Sequence, residues 1–181
     1  GRVPGVDSTL QFRDVYGVDA STAYLMSAGN GAQSRIYKTT DGGRTWALQF
    51  TNTEAEAFYD CMDFWDARHG LAVSDAVGGH VRLLGTTDGG AHWAQPATSP
   101  EAQPGEGGFA ASGTCLVARP GGRAWIGMGN APEARVLRTT DYGMHWLAAV
   151  TPLPAGNAIG ITSVSFRDDR NGAAMGGNVG A

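Results

Sequence analysis

The stretch YDCMDFWDARH, Tyr59 to His69, places three carboxylates, Asp60, Asp63 and Asp66, within seven residues. Carboxylates that close could form a general acid and base pair or hold a divalent cation. Alternation argues against one shared site. On a strand, Asp60 and Asp63 point to opposite faces, and Asp66 opens a turn that Gly70 closes. Solvated or turn-capping acids are therefore expected. The four histidines, His69, His80, His92 and His145, lack metal-ligand spacing such as HExxH. There is no GxSxG elbow, phosphate-binding glycine motif or dinucleotide fingerprint. No catalytic residue, metal or cofactor is assigned, and this includes the flavin or nicotinamide of an oxidoreductase.

A second set of acids recurs. TTDGGRTW at Thr39 to Trp46 returns as TTDGGAHW at Thr86 to Trp93 and as TTDYGMHW at Thr139 to Trp146. In each copy an aspartate (Asp41, Asp88, Asp141) follows a threonine (Thr39, Thr86, Thr139) by two residues and can bond backbone N–H groups to fix a turn. Gly43, Gly90 and Gly143 suit left-handed backbone angles. Trp46, Trp93 and Trp146 then cover the hairpin. A catalytic acid belongs once to a site with partners from elsewhere, not at the same turn three times, so a structural staple is expected. His92 and His145, each just before a tryptophan, are read as hairpin-surface residues.

The elements that carry these turns repeat as well. The three tryptophans lie 47 and 53 residues apart, within the range of propeller-blade repeats. Each box follows a strand, a polar turn, a small-residue strand, a loop and an alternating strand, and the strand after the tryptophan makes a fourth. A further unit opens at ITSVSFRDDRNGAAMGG, where Phe166, Asp168 and Gly172 match Phe64, Asp66 and Gly70. The fold expected is all-β: one partial propeller over residues 1–181, with blades at about 10–52, 57–98 and 108–151 and the inner half of another at 158–181. Because each blade buries its faces against the next, the segment is expected to belong to a larger ring. Its remaining blades would come from the same longer polypeptide or from another chain.

Composition agrees with a packed fold. The 181 residues are 42% hydrophobic, include 28 glycines and carry a formal charge of −4. Glycine without a collagen period signals many tight turns. The 13 arginines and lysines form no basic face, so nucleic acid is not an expected partner. No apolar run reaches the roughly 20 residues of a membrane span. GRVPGVDSTL lacks a signal-peptide core, and a chain opening without methionine reads as processed, trimmed or incomplete. Cys61 and Cys115 have no CxxC spacing. Two buried free thiols are the favoured reading, with one disulfide as the alternative.

The octapeptides resemble the Asp-box of bacterial neuraminidase-type repeat propellers. The segments QFRDVYGVDASTAYLMSAGNGAQSRIYKTTDGGRTW, FYDCMDFWDARHGLAVSDAV and FAASGTC look closest to a branch related to photosystem II stability and assembly factors. That branch includes exported bacterial proteins labelled oxidoreductase-like or glycosyl-hydrolase-like. The resemblance implies a ring of about seven blades, an extracytoplasmic location and structural boxes on the face opposite the ligand site. That opposite face would draw on Arg13, Asp14 and Asn30, then Tyr59, Asp60, Asp75 and His80, then Ser112 and Asn130, and finally Thr162 and Asn178. Such a polar ring suits a polypeptide or polysaccharide. A noncatalytic binding or assembly module is the leading expectation. The alternative is a sialidase-like glycoside hydrolase completed by absent blades, to which only Arg2-Val3-Pro4 bears a faint likeness.

Overall fold

The computed structural model describes residue 3, residues 6–110 and residues 113–180. Four antiparallel sheets follow one another along the chain. The first runs β1 (Gln11–Gly17), β2 (Ala23–Ala28), β3 (Arg35–Thr39) and β4 (Ala47–Thr51), with a 3-10 turn at Gly31–Gln33. The second holds β5 (Tyr59–Phe64), β6 (Gly70–Val77) and β7 (His80–Thr86). The third holds β8 (Leu116–Arg119), β9 (Arg123–Met128), β10 (Arg135–Thr139) and β11 (Leu147–Val150). The last pairs β12 (Ile159–Phe166) with β13 (Gly172–Asn178). The first strands of successive sheets lie side by side. Asp14 on β1 accepts the Met62 N–H of β5 at 2.6 Å, Asp63 on β5 accepts the Ala118 N–H of β8 at 2.7 Å, and the Val164 N–H of β12 reaches Thr114 O at 2.9 Å. This is a β-propeller, with inner strands β1, β5, β8 and β12.

The second sheet has three strands, where the strand pattern leads one to expect a fourth after Trp93. Gly85 and Ala94 exchange backbone bonds of 2.8 and 3.0 Å, and the ladder stops there. Pro96 and Pro100 have no N–H to extend it. The chain returns to β7 further along, where the Val81 N–H meets Pro100 O at 2.9 Å.

Three apolar clusters occupy the three interfaces between sheets. They explain the repeat of Phe, Asp and Gly at the inner turn. Phe64 stacks on Tyr24 of the preceding sheet at 4.3 Å, and Phe166 on Trp125 at 4.5 Å. Each ring lies so close over a glycine that a Cβ at Gly70 or Gly172 would come within 2.5 or 2.3 Å of it. Asp66 and Asp168 each accept two backbone N–H bonds of the turn between.

The two thiols differ from the favoured reading: Cys61 and Cys115 form a disulfide across the interface between β5 and the segment entering β8. Both are fully buried. The cause lies in the repeat itself, because equivalent inner-strand positions of neighbouring blades face one another. The Cys115 N–H also donates to Cys61 Sγ at 3.2 Å.

At each box turn the threonine hydroxyl donates to the aspartate Oδ1 and accepts the backbone N–H of the glycine two residues beyond that aspartate, at 2.9–3.0 Å. The aspartate Oδ1 accepts the N–H of Thr45, His92 or His145, and its Oδ2 bonds that residue's side chain at 2.6 Å. Histidine and threonine are therefore interchangeable here because either side chain offers a donor. These bonds hold Asp41, Asp88 and Asp141 ionised down to a pKa of about 2. The Thr45 hydroxyl leads for the first, and the backbone N–H of His92 and of His145 for the others. Thr86 is buried, and Thr86→Val removes its donor while leaving two N–H groups without their acceptor. Urea unfolding is expected to show a loss of about 1–3 kcal/mol; an unchanged midpoint would mean the hydroxyl does not hold the turn.

Candidate functional site

Within each sheet the box turn packs beside the turn after the inner strand, as the Gly42 N–H to Ser21 O bond of 2.9 Å shows. The other end carries the entries to the inner strands, the ends of the second strands and the linkers between sheets. At that end the chain gathers its buried acids.

Asp60 and Asp75 form the centre. A bulge between Tyr59 and Cys61 adds a residue to β5, and a register shift on β6 begins at Val73. The bulge overturns simple alternation: Asp60 turns toward Gly108 and Ala110 of the next sheet's linker, on the same side as Asp63, whose Oδ2 bonds Ala118. Asp75 Oδ1 accepts the Gly108 N–H at 3.1 Å. A Cβ at Gly107 would stand 2.0 Å from that oxygen, and one at Gly108 2.9 Å from Asp60 Oδ2, so only glycine lets the linker close on the pair.

Asp60 is 2% exposed, and no N–H or O–H among the described residues reaches its Oδ2. Burial, then the Asp75 charge, push Asp60 well above the usual carboxylate range, and burial pushes Asp75 up to about 6. Burial likewise raises Asp14 to about 7 despite the Met62 and Val15 N–H bonds.

These shifts have a definite sign. A carboxyl whose pKa is raised in the folded state holds its proton more tightly there than in the unfolded chain. Its stabilisation is present at acid pH and is lost as pH climbs from the ordinary value near 4 through its folded value. Unfolding free energy is therefore expected to fall between about pH 4 and 7. Asp60→Asn, which keeps a donor toward Asp75 but cannot ionise, flattens part of that fall. Urea titrations at several pH values measure it, and an identical slope in the variant would remove Asp60 from the account.

The remaining expected mouth residues divide by exposure. Arg13, Asn30 and His80 are exposed, with Arg13 bonded to Gln11 and Asn30 bridged to Phe58. Tyr59 is buried against Phe50, and burial raises its hydroxyl to about 12. Asn130, at φ 60°, accepts the Ala158 N–H on Oδ1 at 2.7 Å. Thr162 Oγ1 bonds Met175 O, and Asn178 Oδ1 accepts the Gly180 N–H. Ser112, like Arg2 and Pro4, lies outside the described residues. Among the described residues, no three His, Cys, Asp or Glu side chains gather to hold a metal ion.

An arginine outside the expected site residues stands four positions before each box threonine. Arg82 pairs with Glu54 of the preceding linker, and Arg135 grips Glu106 with two bonds of 2.6 and 2.5 Å. Arg35, at the same place in the first sheet, donates to Ala32 O at 2.7 Å. The signal was present in RIYKTT, RLLGTT and RVLRTT, since a charge that recurs at fixed phase calls for a recurring partner.

No protein-family model matches the chain, and no curated protein matches it. Among solved structures it is similar to YCF48 bound to D1 peptide, with a TM-score of 0.58 and 23% identity over 79% of this chain and 40% of that one. It is also similar to YCF48 from Cyanidioschyzon merolae, with a TM-score of 0.60 and 18% identity over 96% of this chain and 52% of that one. The likeness is one of fold, and the chain spans about half or less of the length of these two neighbours.

Proposed function

We propose that this chain is part of a noncatalytic propeller that binds an extended polypeptide at the end opposite the box turns, as an assembly or interaction module. The observation that carries the reading is the peptide held by YCF48, a protein of the same fold, taken together with a polar rim at that end here. In this reading Arg13, Asn30, Arg35 and His80, with Asn130 beside them, meet the ligand. Asp14, Tyr59, Asp60 and Asp75 act from below by fixing the strands and the linker. Arg35 suits a carboxylate, because Arg82 and Arg135 take one at the same repeat position. A glycoside hydrolase would need its acid pair in contact with sugar, and Asp60 and Asp14 are instead buried within the fold. Further blades, to a ring of about seven, would cover Val15 and Met175, each 65% exposed on the outer sheets. The buried disulfide favours an extracytoplasmic setting.

Selection of peptides on the full protein, followed by fluorescence anisotropy, tests the reading. Arg35→Ala and His80→Ala are expected to weaken a selected peptide about tenfold, which corresponds to about 1.4 kcal/mol, whereas Asp141→Ala at a box leaves it unchanged. Peptides indifferent to every mouth variant, or turnover of a fluorogenic sialoside, would overturn it.

A further inference from the structure

Because β7 has no continuous outer strand, a cleft of about 280 Å³ remains between the second and third sheets, on the box side of the molecule. Trp65, His69, Leu71 and Pro96 line it, and Tyr142 closes one side. Tyr142 belongs to the third box, where it replaces the first glycine of the pair used in the other two. Gly42 and Gly89 stand there at φ 72° and 69°, and Tyr142 has φ 60°. A bulky side chain in the left-handed region is an outlier, and such outliers cluster at ligand sites. The Tyr142 ring meets Trp65 edge-on at 5.3 Å and His69 at 5.0 Å, yet the residue remains 44% exposed. Trp65 already places its own N–H on Arg123 O at 2.8 Å, so its contribution to the cleft is the apolar ring.

We propose that this cleft is a second binding site, which takes one aromatic side chain presented by a partner protein. Its size lies just under that of small-molecule pockets and admits one ring rather than an extended ligand. Its walls set Trp65, Leu71, Pro96 and Tyr142 beside the polar Thr86, Thr87 and Asp88, and edge-on packing leaves ring surface for a further aromatic neighbour. The His92 side chain, 89% exposed at the rim, and Gln95 supply polar contacts to a backbone that delivers the ring. The site lies at the opposite end of the blades from the proposed peptide mouth, so the two can be tested separately.

The experiment uses 5-fluoroindole and fluorine NMR on the full chain. Saturable binding is expected, weakened at least tenfold in Tyr142→Gly and retained in Tyr142→Phe. A short peptide with one central tryptophan displaces the probe, and the same peptide with alanine there does not. Tyr142→Gly relieves the backbone, so its Tm equals or exceeds that of the parent, and peptides selected at the mouth still bind it. The proposal fails if fluoroindole shows no saturation, if Tyr142→Gly binds it as the parent does, or if the tryptophan peptide cannot compete. A Tm lowered by several degrees in Tyr142→Gly would likewise overturn it, since the ring would then serve packing alone.

Discussion

Reduction of the Cys61–Cys115 bridge is expected to lower the unfolding free energy by about 4 kcal/mol. The bridged residues are 54 apart in sequence, and closing a loop of that length restricts the unfolded chain by about this amount in the chain-entropy model. Domains of ordinary stability hold only about 5–15 kcal/mol in total, so the bridge accounts for a large share. It joins β5 to the segment entering β8, across an interface that burial and the Asp63–Ala118 and Trp65–Arg123 bonds also restrain. Urea unfolding of oxidised protein, of protein with reductant and of Cys61→Ser/Cys115→Ser measures the effect. If the midpoints differed by the equivalent of less than about 1 kcal/mol, the bridge would be an accessory to an interface already fixed by packing.

The second large effect is expected at Arg135. Glu106 has a fully buried side chain, and its oxygens are held by Arg135 and by the Gln103 N–H at 2.9 Å. Removing only the cation leaves a buried anion uncompensated, which typically costs about 3–5 kcal/mol. Arg82→Met should cost much less, about 1 kcal/mol or below, because Glu54 and Arg82 keep 30% and 21% of their side chains exposed. The contrast is the test. Arg135→Met should shift thermal unfolding far more than Arg82→Met, and Glu106→Leu/Arg135→Met should recover most of the loss by replacing the pair with apolar volume. Equal shifts in the two single variants would sink the argument. Glu106 adjoins Gly107 and Gly108, and its carbonyl accepts the Ala76 N–H at 2.9 Å. Loosening it should therefore also change the pH response of the Asp60 and Asp75 pair.

Much of the architecture is legible in residue order. The boxes at blade spacing imply successive antiparallel sheets, and the Phe, Asp and Gly of the inner turn mark equivalent places in two of them. Those signals are local: the aspartate bonds N–H groups within four residues, and the glycines take angles that their neighbours in sequence demand. The missing fourth strand of the second sheet was harder to see. Pro96 and Pro100 are visible, but whether a ladder survives them depends on how the chain finds β7 again.

The candidate site was legible by address more than by chemistry. Asp60 and Asp75 fall at the expected end, yet period-two counting sent Asp60 and Asp63 to opposite faces. A single bulged residue reverses that assignment, and nothing in YDCMDF announces the bulge. Tyr142 is similar: the departure from TTDGG is plain in the sequence, while the cleft it borders exists only where two blades meet.

The sequence by itself therefore determined the repeating unit, its β character and its turn chemistry, because these rest on bonds between residues a few positions apart. Only the tertiary structure decided the disulfide, the buried pair of Asp60 and Asp75, the Glu106–Arg135 clamp and the aromatic cleft. Each of these depends on groups brought together across a blade interface. There, burial and the exact placement of a neighbour's backbone set the energy, and residue order carries neither.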